Sequence, residues 1–339
     1  MLKLPHFKAA AVQTCPVFLD PVATCTKAAA LIREAAGNGA SLVVFPEVFV
    51  AGYPYWSWIS DPVSCSPWFE RLVRASILLP GPEIEIVSEA ARDCGVHVII
   101  GVNERSPVSL GTLYNTLVFI GPDGAIMGRH RKLVPTWAEK LTWAPGDGSG
   151  LVVYDTAIGP LGALACGENT NTLARFALLA QGELVHAASY ISLPVAPPDY
   201  DMAEAIKVRA MAHSFEGKVF TIVSCSTISD EIITAMEGLV PDARARLERS
   251  NSAFSGVIGP DGRLVGEALI DAEGIVYADI DLSRCIQPKQ MHDIIGHYNR
   301  FDIFDLAVDR TPRAPIRVID PAAEPAAPRP DASAPPEPA

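Results

Sequence analysis

The sequence predicts an α/β protein whose sheet is covered by helices. Three observations predict it. Short strand-like apolar runs alternate with stretches of helical spacing, turn residues punctuate them, and the 339-residue chain is 49% apolar and 19% charged, enough to bury a large core.

The elements follow in order. Phe7–Val12 reads as a buried strand. Asp20-Pro21 supplies an N-cap and a first-turn proline for a helix over Val22–Ala36, stopped at Gly37. Ser41–Phe45 is a short strand running into Pro46-Glu47. Ser57–Pro80 is aromatic and interrupted by proline, and is expected to be an irregular insertion or a contact surface. Pro82–Cys94 is a second helix closed by Gly95, and Val96–Val102 is strand again. Two segments, Asn115–Arg131 and Ser252–Glu267, each join strand-like runs through Gly-Pro-Asp-Gly, a hairpin signal that either repeats a structural half or is a common turn. Leu161–Ala165 is a small apolar strand, and Glu168–Gln181 reads as one helix with Leu173, Phe176, Ala177 and Ala180 on one face. From Pro321 to Ala339 there are 7 prolines in 19 residues, a composition that cannot bury a core. One domain over residues 1–310 and a disordered tail over 311–339 are therefore expected.

Charge narrows the function. Lys and Arg number 27 against 39 Asp and Glu, a net −12 that repels nucleic acid and anionic membranes. No apolar run is long enough for a signal peptide or a membrane span, so a cytoplasmic location is expected. Seven scattered cysteines without a CxxC pair suggest free thiols and no structural zinc. His292 and His297 lack companion ligands and read as structural or interface residues, so no metal is expected. Gly146–Gly150 precedes a strand rather than following one, which is the wrong context for a phosphate loop.

Three segments carry chemistry. Cys166 stands where a strand turns into a helix, so the positive helix end should favour a thiolate and a free backbone N–H could hold an oxyanion. Glu47 follows a hydrophobic strand, where α/β sheets place their sites. Lys132 ends a strand, with Glu139 seven residues on. Taken singly, each could equally be a buried apolar cysteine, a loop carboxylate and ordinary surface charges.

In this order the segments resemble the nitrilase superfamily of carbon–nitrogen hydrolases. Phe45-Pro46-Glu47, His130-Arg131-Lys132 and Cys166-Gly167-Glu168-Asn169 match its three blocks, and the likeness runs from about Phe7 to about Asp302. Gly52-Tyr53-Pro54, Thr136-Trp137-Ala138-Glu139 and Gly296-His297-Tyr298-Asn299-Arg300 resemble the nitrilase branch. Gly167 and Asn169 depart from the Trp and His common at those positions. The resemblance implies an α-β-β-α sandwich, a Glu47–Lys132–Cys166 triad supported by Glu139, a nitrile substrate, no cofactor, and self-association into dimers or longer spirals. Tyr53, Trp137, Gly167, Asn169 and Tyr190 are the candidate substrate-binding residues. An amidase or carbamoyl amidohydrolase with the same triad, or a hydrating enzyme that stops at the amide, is the alternative. Arg175, Phe176 and Leu179 are expected on the face that meets a second subunit.

Overall fold

The computed structural model describes residues 2–316 apart from 198. Among the described residues, eleven strands form two sheets. The first sheet contains β1 (His6–Gln13), β2 (Ala40–Val44), β3 (His97–Arg105), β4 (Leu113–Ile120) and β5 (Ile126–Arg131). The second contains β6 (Leu161–Ala165), β7 (Val185–Tyr190), β8 (Phe220–Cys225), β9 (Phe254–Ile258) and β10 (Leu264–Ile270). The last strand, β11 (Gly274–Asp281), returns to pair antiparallel with β1, so the first sheet runs β11-β1-β2-β3-β4-β5 and the second β10-β9-β8-β7-β6.

Each sheet has the same plan. Three parallel strands lead into an antiparallel hairpin that forms the outer edge. The two Gly-Pro-Asp-Gly turns make these hairpins and close identically: Gly121 N–H donates to Ala125 O and Gly259 N–H to Arg263 O, each at 2.8 Å. The sequence repeat therefore marks a structural half repeated twice.

Helices cover the outer faces. α1 (Pro21–Gly37) starts at Asp20, whose Oδ1 accepts from Ala23 N–H at 2.9 Å. The next two helices are α2 (Trp56–Ile59) and α3 (Ser66–Ala75). The span expected to be irregular is thus partly helical. Its tryptophans are the reason: Trp56 stacks on Trp68 at 5.6 Å and both pack against Phe18, giving the segment a core of its own. α4 (Pro82–Cys94) lies with α1 against the outward residues Ala10, Val43, Val98 and Ile100 of the first sheet. Inward residues Ala9, Leu42, Ile99 and Leu117 meet Leu161, Ala163, Ala187 and Ile222 of the second sheet in the central layer. α5 (Thr172–Leu179) and α6 (Met202–Gly217) cover the other side. The chain is the expected α-β-β-α sandwich.

Two expectations are corrected. Glu168–Gln181 is not one helix: Cys166–Thr170 is a single 3-10 turn, and α5 begins only at Thr172, capped by the Asn171 side chain. Arg175 and Leu179 do not lie on an outer face. Arg175 is buried and pairs with Glu216 on α6 at 3.0 Å, and Leu179 is buried where Gly217 of α6 leaves room for it. Leu173 and Phe176 instead line an open groove with Phe301, Ile303, Phe304 and Leu306. Of the expected tail, residues 317–339 lie outside the described residues. Residues 311–316 are exposed, and Arg313 N–H donates to Asp147 Oδ2 at 2.7 Å.

Candidate active site

The site stands at the carboxyl ends of the strands, along the seam between the sheets. β2 ends at Val44, and Phe45-Pro46-Glu47 turns across β3 at Gly101. A side chain at Gly101 would collide with the backbone of Pro46 and Val48, so only glycine lets the turn lie this close. Gly101 N–H donates to Pro46 O, and Glu47 N–H donates to Tyr190 O at the end of β7. Ser189 Oγ–H reaches Phe45 O at 2.8 Å. These bonds tie the Glu47 turn to both sheets. Val48 follows with φ 41°, a left-handed conformation that a β-branched residue adopts only when its surroundings impose it.

Lys132 follows β5 directly and is fully buried. Its Nζ donates to Glu47 Oε1 and to Glu139 Oε2, both at 2.7 Å. Glu139 lies on the 3-10 turn Trp137–Leu141, where Thr136 N–H donates to the same Oε2 at 2.6 Å. Tyr53 sits behind it. The Tyr53 hydroxyl donates to Glu139 Oε1 at 2.9 Å and accepts from Trp58 Nε1 at 2.7 Å. Asn115 on β4 donates to Glu47 Oε1 at 2.6 Å. Every oxygen of the two carboxylates is thereby engaged except Glu47 Oε2, which is buried and has no hydrogen-bond partner among the described residues.

Burial pushes the Glu47 carboxyl up to about 6 against the pull of the Lys132 charge. Burial also opposes the Lys132 charge, but Glu139 and Glu47 outweigh it and hold the ammonium well above its ordinary range. The result is a cation between two carboxylates, with one idle oxygen on Glu47.

Cys166 begins the 3-10 turn after β6, with φ 48°. It is buried and packs with Tyr190, Met202 and Ile206. The expectation of a preformed thiolate is not met. A single 3-10 turn supplies little helix dipole, and burial, then the Glu47 charge, push the thiol well above its ordinary range despite Lys132. Glu168 clasps the turn: its Oε2 accepts from Ala165 N–H at 3.0 Å and pairs with His130 Nε2 at 2.9 Å.

The remaining candidates divide. Tyr190 is buried beside Cys166, and its hydroxyl has no hydrogen-bond partner among the described residues. Trp137 is 76% exposed and packs edge-on to Trp58 at 5.7 Å. Gly167 is half-buried beside Thr136 Oγ1. The Asn169 amide is turned to the backbone of its own turn and to His186. Sequence reasoning missed Asn115, Glu168, Glu183, His186 and His213. A Glu and a His inside the apolar run Glu183–Tyr190 were the available signal for two of them. Among the described residues, Glu183, His186 and His213 are the group whose donor atoms approach to within 4.8 Å of one another, as a metal would require. Here they hydrogen-bond to one another instead. His292 and His297 belong to no such group; His292 packs edge-on to Tyr298 at 4.8 Å.

The chain matches the sequence profile of the carbon–nitrogen hydrolases over residues 8–290. It is 37% identical over 309 residues to a nitrilase of Paraburkholderia phymatum, spanning 91% of this chain and 88% of that protein. It is 36% identical over 315 residues to an aliphatic nitrilase of Rhodococcus rhodochrous, spanning 91% and 84%. Among solved structures, a carbon–nitrogen hydrolase from Helicobacter pylori G27 superposes with a TM-score of 0.65 over 85% of this chain and 93% of that one. At 20% identity this is a likeness of fold. With the profile spanning most of the chain and the relatives matched nearly end to end, this protein belongs to the carbon–nitrogen hydrolases, in their nitrilase branch, and is an enzyme that acts on carbon–nitrogen bonds.

Proposed function

We propose that the protein hydrolyses organic nitriles to the carboxylic acid and ammonia, with Cys166 as nucleophile. The observation that carries the reading is the buried row Glu47–Lys132–Glu139, with 2.7 Å contacts on both sides of the cation and one idle oxygen on Glu47. A nitrile carbon is a poor electrophile, so attack needs a strong nucleophile and help for the nitrogen that becomes negative. Glu47 takes the thiol proton as sulfur bonds to the nitrile carbon, and the nitrogen receives a proton, giving a thioimidate. Glu47 then activates one water, ammonia leaves, and an acyl thioester remains. A second water releases the acid and returns the proton to Cys166. Lys132 stabilises the developing charge, and Glu139, braced by Tyr53 and Thr136, aims it. No cofactor enters this sequence.

Substrate contacts come from Tyr190 at the base of the site, Trp137 at its lip, and the open side of Gly167. Tyr53 contributes through Glu139. These aromatic faces suit arylacetonitrile-like compounds over very short nitriles. Self-association into dimers or longer spirals joins the reading, through the apolar strip of Leu173, Phe176, Phe301 and Phe304. The seven unpaired cysteines suit a reducing compartment such as the cytoplasm. No helix among the described residues is long and apolar enough to cross a membrane.

A panel of nitriles and matching amides, scored for ammonia, acid and amide, tests the reading. Acid and ammonia in equal amounts from arylacetonitriles, absent in Cys166→Ala, are expected. Turnover of amides alone would reassign the protein as an amidase. Amide as the sole product would make it a hydrating enzyme.

A further inference from the structure

Asn169 lies three residues beyond Cys166, and its Nδ2 donates to two carbonyls that flank the turn, Leu164 O at 3.2 Å and Cys166 O at 3.0 Å. Carbonyls only accept, so the amide has one possible orientation, and its Oδ1 faces His186 Nε2 at 2.8 Å. That oxygen also only accepts, so Nε2 carries a hydrogen. The other ring nitrogen, His186 Nδ1, stands 2.7 Å from Glu183 Oε1, and Glu183 Oε2 stands 2.9 Å from His213 Nε2. The four side chains are buried in the second sheet and under α6. Gly162, opposite His186 on β6, makes the space: a side chain there would collide with the Glu183 carboxylate.

Charge follows from the geometry. Burial alone would raise Glu183, but the two imidazoles pull its carboxyl down to about 2. Burial, then the neighbouring His186, push His213 down to about 4, so it is neutral. An ionised Glu183 accepts on both oxygens. His186 therefore sits between the two acceptors, its Nδ1 against Glu183 and its Nε2–H donating forward to Asn169. The hydrogen bonds of this set run to the Cys166 turn and not to Glu47, Lys132 or Glu139.

A buried polar network anchored on a carboxylate contributes little net stability compared with apolar residues of the same size. What this one does have is a direction: its forward hydrogen ends on the amide that grips the Cys166 peptide. That peptide needs gripping, because Cys166 holds φ 48°, a region that disfavours side chains by ~1–2 kcal/mol. We propose that Asn169, His186 and Glu183 form a charge-anchored brace that holds the Cys166 turn in its left-handed conformation and so sets the aim of the thiol. They are positioning residues. The inference rests on Cys166 being the nucleophile.

The test compares His186→Leu, which removes the donor to Asn169, with His186→Gln, which can restore it. Two rates are read per mole of folded protein: nitrile turnover, and alkylation of Cys166 by iodoacetamide, located by peptide mass spectrometry. The Leu variant is expected to lose at least tenfold in kcat and in alkylation rate together, with KM within twofold. The Gln variant is expected to stay within threefold of wild type. Should His186→Leu not fold, Asn169→Ala provides the same reading, with the same tenfold loss expected. Wild-type alkylation and turnover in the Leu or Ala variant would overturn the brace, as would a Gln variant as impaired as the Leu one. Alkylation needs no nitrile. A wild type without nitrile turnover, but with alkylation that still falls tenfold in the Leu variant, would sink the proposed substrate and leave the brace standing.

Discussion

Replacing Glu47 by glutamine separates the base from the scaffold. A glutamine oxygen can still accept from Lys132 and Asn115, which now hold Oε1 at 2.7 and 2.6 Å. Its NH2 group occupies the place of the idle Oε2 and cannot take a proton. General-base catalysis contributes ~10²–10⁴ in rate, so kcat is expected to fall by that factor, roughly 3–5 kcal/mol of barrier. Stability moves the other way. The folded protein raises the Glu47 carboxyl from 4.5 to about 6, which sets ~2 kcal/mol against its ionised form. A folded pKa above the unfolded one means that the folded state binds the proton more tightly. The cost is absent below about pH 4.5, grows as pH rises, and is complete above pH ~6. At pH 8 the Gln variant escapes it and is expected to be about 2 kcal/mol more stable than wild type, a rise of a few degrees in Tm. At pH 4.5 the two should unfold alike. Ammonia release and urea unfolding at both pH values measure the pair of effects. Wild-type kcat/KM should also rise through pH ~6 and level off, a limb that the residual activity of the variant lacks. A Gln variant that keeps more than a tenth of the wild-type rate, or that is less stable at pH 8, would refute this reasoning.

Other outcomes follow from the same geometry. Lys132→Met strips the cation from between two buried carboxylates; kcat is expected to drop ~10²–10³, and the lost pairing costs ~3–5 kcal/mol at pH 8. Part of that stability returns as pH falls toward 5 and a carboxylate takes up a proton, which thermal melts across this range will read. Cys166→Ala should abolish turnover with the melt preserved, while serine at each of the other six cysteines should retain most ammonia release. Phe304→Glu places a charge in the apolar strip and is expected to give a smaller species by light scattering; an unchanged mass would remove that strip from the interface.

Strand and helix placement was legible because its causes are local. Pro82 and Gly95 mark the start and the stop of a helix, and β2 runs into Glu47 where the apolar run ends. The helix after Cys166 was misread because periodicity is blind to a hydrogen-bonding side chain: Asn171 caps α5 and cuts the run in two. The triad was legible as spacing, but its electrostatics were not. The thiol's protonated state depends on burial and on Glu47, 119 residues away in sequence, and no local pattern records that. Asn115 and His213 were invisible for a related reason. Each is an ordinary polar residue until the sheets bring it to its partner. Arg175 and Leu179 looked like an outer stripe because spacing reveals a shared face but not which neighbour covers it.

The return of β11 to β1 has a consequence for the order in which this protein can be made. Lys8 pairs with Asp279 and Ala11 with Val276, so β1 leaves the ribosome long before the strand that pairs with it. Until then β1 presents an open row of backbone groups along an apolar face, the kind of edge that joins other chains. Pairing across such a separation in sequence is intrinsically slow. The Glu47 turn rests on the strand next to β1, so the base is built on a sheet that stays unfinished until β11 is made. A chain stopped before residue 274 therefore has Glu47, Lys132, Glu139 and Cys166 and an unsealed edge. It is expected to accumulate in the insoluble fraction, whereas a chain stopped after 316 keeps the edge closed.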